Sequence, residues 1–394
     1  MTHNAGQTMT TALQGIDAAT GAALQLAFGP TIVDATRGVG AGGRYLAPGW
    51  IDIQVNGFAG VDYNSPTVSL EEIARSLQVQ FSTGVTRLYP TVITGSPASM
   101  RASLANLARA KDAVPHGEAI EGFHVEGPHI SPDDGPRGAH PRHWVRPPDL
   151  EEFRAWQDAA HGYIRLVTVA PEWPQAPAYI ESLTGSGVAV AIGHTNATAA
   201  QIADAVSAGA VLSTHLGNGA HAILPRHPNY IWEQLAEDRL AASFIADGIH
   251  LPASFLKPAV AAKGILRSVL VTDASTPAGA PPGRYPLGEQ WVDLTPDHRV
   301  VLAGQDKLAG SALRMHHAVQ NVIRLAGVAL KDAVTMATTN PARVCGIPGR
   351  RGGLVPGDRA DIVVFGYDAE SGEVHVEATY LSGVRVWDSQ GAGQ

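Results

Sequence analysis

The sequence has a single cysteine, Cys345, in 394 residues. No intrachain disulfide can form, so the fold must hold without cross-links, as proteins of a reducing compartment do. Long apolar runs are missing as well. Nothing approaches the roughly 20 residues needed to cross a bilayer, and the N-terminus shows no basic segment followed by an apolar core and a small-residue cleavage signal. Positive charge is scarce: with 28 Lys and Arg against 36 Asp and Glu, the formal net charge is -8, and no basic tract is available to neutralise a phosphate backbone. These absences predict a soluble, cytoplasmic protein with no membrane and no nucleic-acid partner.

What is present is apolar and rich in turns. Hydrophobic residues make up 45% and charged residues 16%, with 43 Gly and 27 Pro, both above average usage. From Ile51 onward one grammar repeats: a short apolar or β-branched run, a polar loop, then an amphipathic segment. The runs are WIDIQV from Trp50, TRLYPTV from Thr86, AIEGFHVEG from Ala119, YIRLVTV from Tyr163, VAVAIGH from Val188, VLSTHL from Val211, LAASFIAD from Leu240 and SVLVTDA from Ser268. Between them lie helical patterns, one opened by Ser69 and Glu72 at capping-box spacing, others over Ala98 to Ala110 and in ATAAQIADAVSAG. Eight buried strands alternating with helices predict a closed parallel (β/α)8 barrel. A doubly wound open sheet is the competing arrangement, because periodicity does not report closure. Both ends read as strand and hairpin material: LQLAF and TIVDA near the start, RADIVVFG and EVHVEATYLSGVRVW near the finish. Neither end is long enough for a core of its own. The expected division is therefore 1–46 and 346–394 as the two parts of one small β domain, around a barrel over 47–345.

Chemistry on such a barrel sits at the carboxyl ends of the strands. Gln54 and Asn56 follow the first run, Glu126 the third, His194 the fifth, His215 the sixth and Asp273 the eighth. Any one of these histidines alone would be read as a packed or surface residue. Together, Glu126, His194 and His215 form an O, N, N donor set that suits zinc and also serves iron, manganese or cobalt. Three protein ligands leave a coordination position open, the mark of a catalytic rather than a structural site. Asp273, in VTDAS, is either a turn cap or a general base that takes a proton from the attacking water and returns it to a departing amine.

The ordered motifs APGWIDIQVNG, TGVTRLYPTVIT, FHVEGPHISPDDGPRGAHP, VTVAPE, IGHTNAT, STHLGN, IADGIH, VTDASTPAGAPPGRYPLG, LAGSALRM and PGDRADIVVF resemble those of the N-acetylglucosamine-6-phosphate deacetylases of the amidohydrolase superfamily. The resemblance runs from about Tyr45 to Gly366. It implies a distorted (β/α)8 TIM barrel with a small β-sandwich built by both termini, a homodimer, and one divalent metal on Glu126, His194 and His215. Asp273 would be the catalytic acid and base. His140 would sit beside the sugar and the amide carbonyl, with Asn218, the backbone at Gly219 and His250 at the sugar-phosphate end. Many superfamily members carry His-x-His after the first strand; Gln54 and Asn56 stand there instead, as vestiges of a second metal position. His129 and His143 read as ordinary polar loop residues.

The sequence departs from the family where substrate identity is decided. After THL the family has an aromatic residue and then Asn-Ala-Met, whereas this chain has Gly217, Asn218, Gly219, Ala220 and His221. The family's phosphate-binding arginine, contributed across the dimer interface, is matched by spacing to Arg226, with His227 beside it. The expected reaction is hydrolysis of N-acetylglucosamine-6-phosphate to glucosamine-6-phosphate and acetate. The alternatives are a deacetylase of an unphosphorylated or different N-acetyl amino sugar or other small N-acyl amine, and a sugar-binding protein that keeps the barrel without the reaction.

Overall fold

In a computed structural model of the protein, which describes residues 10–38, 42–349 and 353–391, eight parallel strands follow one another around a barrel in sequence order. They are Trp50–Val55, Val85–Ile93, Phe123–Glu126, Ile164–Val169, Ala189–Ile192, Leu212–Ser213, Ala241–Ile245 and Ser268–Val271. The sheet returns on itself where the eighth strand meets the first: the Asp273 amide donates to the Gln54 carbonyl at 3.0 Å, and Val55 and Ala274 form a parallel bridge. The first strand is buried at every residue, the polar Asp52 and Gln54 included, as expected for a strand covered on both faces.

The helices between the strands take their local sequence cues. In Leu70–Phe81, Ile73, Leu77 and Phe81 recur every four residues and are buried, which gives one apolar face toward the strands. Ser69 caps the helix and Glu72 returns a bond to the Ser69 backbone, completing the capping box. Helices Met315–Ala326 and Leu330–Ala337 close the chain back onto the barrel. Among the described residues no helix is long and apolar enough to cross a membrane.

The termini build a separate seven-stranded sheet. Its order is Val384–Asp388, Val374–Leu381, Ile362–Tyr367, Arg44–Pro48, Thr11–Asp17, Ala23–Phe28 and Ile32–Arg37, so the C-terminal strands join the N-terminal ones where Ile362–Tyr367 pairs antiparallel with Arg44–Pro48. Leu26, Phe28, Leu46, Ile362 and Val364 form its own small core, while Ala47, Val363 and Phe365 pack into the main one. A buried ion pair ties the sheet to the barrel: Arg87, on the second strand, reaches Asp361 at 2.7 Å with side chains 2% and 0% exposed. Of the expected terminal segments, residues 1–9, 39–41, 350–352 and 392–394 lie outside the described residues.

One element was not expected. Between the eighth strand and helix Met315–Ala326, strands Gly283–Leu287, Gln290–Leu294 and Val300–Leu302 form an antiparallel meander. Its first turn is the two-residue loop Gly288-Glu289, with Leu287 facing Gln290, a hairpin signal present in the sequence but hidden inside a motif that reads as a loop. Leu287, Val292, Leu294, Val300 and Leu302 make a cluster of their own, packed against Ile93 and Ala139 at the barrel rim.

Candidate active site

The strand ends turn sharply into the barrel mouth. His194, His215 and Asp273 have φ values of 50°, 29° and 49°, left-handed conformations that non-glycine residues adopt at a cost. Each lies two residues beyond a barrel strand, and all three side chains line the cavity at the mouth. Around His194 the chain has to be glycine. A Cβ on Gly219 (φ 55°) would lie 2.6 Å from His194 Nδ1, and one on Gly138 (φ 58°) 3.1 Å from its Cε1.

Three donors meet there. His215 Nε2 lies 2.9 Å from Glu126 Oε1 and 3.1 Å from His194 Nε2, and His194 Nε2 lies 3.4 Å from the same carboxylate oxygen. Donor atoms held at about 2.0–2.1 Å from one ion, at angles of about 90–110°, are themselves about 3–3.4 Å apart, so this set fits a single divalent cation. The ring of His194 is oriented by its Nδ1, 2.8 Å from the Pro136 carbonyl, which leaves Nε2 available to a metal ion. His215 lacks the same arrangement: its Nδ1 is buried and, among the described residues, faces no acceptor outside its own backbone. His140 also approaches, since one of its ring nitrogens, one of His194 and a Glu126 oxygen lie within 4.8 Å of one another. The set with His215 is the tighter one.

Electrostatics separate the groups. Burial alone would raise Glu126, yet hydrogen bonds from His194 and His215 and their charge hold it well below the usual carboxylate range. Burial lowers His215, and the Glu126 bond and charge more than reverse this. Asp273, by contrast, is pushed up to about 6 by burial and by the Glu126 charge. Burial, with His194 beside it, lowers His140 to about 3, so its imidazole is neutral. Gln54 Nε2 donates to Glu126 Oε1 at 2.9 Å and to Asp273 Oδ1 at 3.2 Å, and Asn56 Nδ2 donates to Asp273 Oδ1 at 2.7 Å.

The same cavity is lined by His140, Asn218, Gly219 and His250, and roofed by Leu287 and Gln290 from the meander. His140 Nδ1 is 2.7 Å from Thr94 Oγ1. His250 Nδ1 is 2.6 Å from Asp247 Oδ2, and the other Asp247 oxygen accepts from the backbone of Ile249 and His250. The Asn218 side chain folds back onto the His215 carbonyl at 3.2 Å. The space that a residue larger than Gly217 would need is filled by Phe255 and Leu251, 2.8 and 2.9 Å from where its Cβ would be. Arg226 and His227 are not brought in: both are exposed on the loop after Gly219 and line no part of the cavity. His129 is not an ordinary loop residue, because it is fully buried and stacked on Trp156; His143 is exposed, 3.7 Å from Glu289. Sequence reasoning missed Thr94, Pro136, Asp247, Leu287 and Gln290. Thr94 and Asp247 follow the second and seventh strands, so the strand-end rule reached them, but neither was read for a hydrogen-bonding role.

The amidohydrolase family pattern matches residues 45–386. The human N-acetylglucosamine-6-phosphate deacetylase is 35% identical over 367 residues, which cover 90% of this chain and 86% of that protein. An N-acetylgalactosamine-6-phosphate deacetylase of Escherichia coli O157:H7 is 34% identical over 341 residues, 86% of each chain. In structure, a mutant N-acetyl-D-glucosamine-6-phosphate deacetylase of Mycobacterium smegmatis, solved with N-acetyl-D-glucosamine-6-phosphate, superposes with a TM-score of 0.86 at 30% identity, over 97% of this chain and 100% of that one.

Proposed function

Since the chain belongs to the amidohydrolase family, and within it to the N-acetylglucosamine-6-phosphate deacetylases, we propose that it hydrolyses the acetamido group of N-acetylglucosamine-6-phosphate to glucosamine-6-phosphate and acetate. The observation that carries this reading is the meeting of Glu126, His194, His215 and Asp273 in one buried cavity. Glu126, His194 and His215 would hold one divalent cation, with zinc the first choice among the metals this donor set serves. When bound, the ion polarises the acetamido carbonyl and lowers the pKa of the attacking water.

The residues of the chain do the rest. Asp273 accepts a proton from water as its oxygen attacks the carbonyl carbon, and a carboxyl held near neutrality by its surroundings is matched to that task. The tetrahedral species then carries a negative oxygen, and the neutral His140 ring, oriented by Thr94, donates to it. Asp273 returns the proton to nitrogen, the C–N bond breaks, and acetate and the amine leave. His250, held by Asp247, and the backbone at Asn218 and Gly219 meet the sugar-phosphate end.

No arginine or lysine is among the residues lining the cavity. The chain works as a cytoplasmic homodimer in which Arg226 and His227 reach the phosphate in the partner's cavity. Supporting this, Ile223 and Trp232, 90% and 54% exposed, flank that loop, and apolar surface of this kind marks interaction sites. A second reading, the C4 epimer of the sugar, is favoured by the comparable identity to the galactosamine enzyme.

The deciding experiment is kcat/KM of the zinc-loaded protein for N-acetylglucosamine-6-phosphate, its galacto epimer and unphosphorylated N-acetylglucosamine, following free amine. A preference of at least tenfold for the first is expected. Preference for the epimer moves the sugar assignment. Equal rates with and without phosphate refute the phosphate end, and no amine from any of them refutes the reaction.

A further inference from the structure

Glu126 and Asp273 bring two carboxylates into one cavity while only 2% and 9% exposed, where little water screens their repulsion. Beside the histidines at Glu126, three N–H···O bonds reach the pair, all from two neutral amides. Gln54 lies next to last in the first strand and Asn56 is the first residue beyond it, and both side chains reach the same oxygen of Asp273. Gln54 bridges the carboxylates, with 2.9 Å to Glu126 Oε1 and 3.2 Å to Asp273 Oδ1. Asn56 adds a second donor to the same Asp273 oxygen at 2.7 Å. Oδ1 of Asp273 therefore takes two bonds, while its Oδ2 has no hydrogen bond to the described residues.

The amides suit this task chemically. A side-chain NH2 offers two hydrogens and does not ionise, so Gln54 serves both carboxylates without changing the charge of the site. Asn56 shows what it is kept for: its Oδ1 is buried with no hydrogen-bond partner among the described residues. An unpaired buried acceptor destabilises, and an apolar side chain of the same size would pack without that penalty. Turning the amide over would set lone pair against carboxylate, so the donor holds the orientation. The backbone fixes both residues across the barrel seam, where the Asp273 amide donates to the Gln54 carbonyl at 3.0 Å and the Asn56 amide to the Ala274 carbonyl at 2.7 Å.

We propose that Gln54 and Asn56 are positioning residues: they clamp Oδ1 of Asp273 and tie it to Glu126, leaving Oδ2 as the oxygen that takes the proton from water and returns it to the leaving nitrogen. The clamp rests on the role given to Asp273 above. It replaces the reading of these two side chains as vestiges of a second metal position.

The test removes the donors and keeps the bulk, with Gln54→Met, Asn56→Leu and the double variant, each zinc-loaded. Expected are one ion per chain by elemental analysis, a KM within about threefold of wild type, and a kcat lower by about tenfold in each single variant and about a hundredfold in the double, the scale of a misplaced reacting group. Crystals of the double variant should show the Asp273 carboxylate rotated from its wild-type orientation. An unmoved carboxylate or an undiminished kcat overturns the proposal. So does loss of the ion in step with kcat, because the amides would then serve the ion's ligand rather than the proton carrier. If Asn56→Leu does not fold, Asn56→Ala takes its place with the same expectations. Amine release by the wild type reports on the reaction separately: its absence overturns the proposed reaction, while the orientation of Asp273 in the crystals still decides the clamp.

Discussion

Asp273 and Asp361 are both aspartates buried at a boundary of the barrel, and their surroundings are opposite. Asp361 is answered with charge: Arg87 Nε lies at 2.7 Å and Arg359 Nε at 2.8 Å, with the Ser382 amide at 3.0 Å. Asp273 is met by neutral amides, and by the like charge of Glu126 that helps hold it near 6. A carboxylate locked between guanidinium groups has no reason to exchange a proton. One held by neutral donors next to another carboxylate does. Of the two, Asp361 serves attachment of the terminal sheet, and Asp273 is suited to chemistry.

The contrast is open to attack by substitution. The largest effect is expected at Asp273→Asn, where kcat should fall by about a thousandfold or more, within the range for loss of a general acid–base group. Metal content and thermal midpoint should stay at wild-type values, and a variant that kept its turnover at neutral pH would end the comparison. His194→Ala should come next, by removing a ligand and with it the ion. Elemental analysis should find the variant depleted, and chelated wild type should lose activity and regain it on adding zinc.

Asp361→Ala should reverse the pattern. Leaving the buried Arg87 with only Glu121, at 3.5 Å, as its carboxylate is expected to destabilise the fold by about 3 kcal/mol, measured by urea unfolding, while kcat per folded molecule changes less than twofold. Loss of rate without loss of stability would put Asp361 on the wrong side of the comparison. The smallest effect calibrates the scale away from both regions: Ser69→Ala, which breaks the capping box of helix Leu70–Phe81, should cost about 1 kcal/mol and leave the rate untouched.

How far each region was legible follows from the range of the forces involved. The eight strands and the donors at their ends are local signals, an apolar run and then a metal-binding side chain, so Glu126, His194, His215 and Asp273 could be picked out before any fold was known. The bridging by Gln54 could not. Its partners lie 72 and 219 residues away and come within reach only because the barrel closes on itself, which periodicity does not report. Thr94 and Asp247 lay at the expected strand ends, yet their value depends on which histidine faces them. The meander was hidden because a Gly- and Pro-rich motif looks like a loop until Leu287 is seen paired with Gln290. The Arg87–Asp361 pair had no sequence signature at all, since charge in a strand gives no hint of its partner.

The separation of that pair along the chain also sets an order of events during synthesis. Arg87 and Asp361 are 274 residues apart, and at about 5–20 residues per second on the ribosome the guanidinium, which has Glu121 at 3.5 Å, waits on the order of ten seconds to a minute for its closer carboxylate. Over the same interval the strand Arg44–Pro48 has an open edge, because its neighbour Ile362–Tyr367 has yet to be made. A nascent chain can thus assemble every barrel strand and still hold a half-satisfied interior charge and an unpaired strand. Completion of the last strands works as a proofreading step, since a prematurely ended chain is left destabilised and sticky, in the state that quality-control proteases and chaperones recognise.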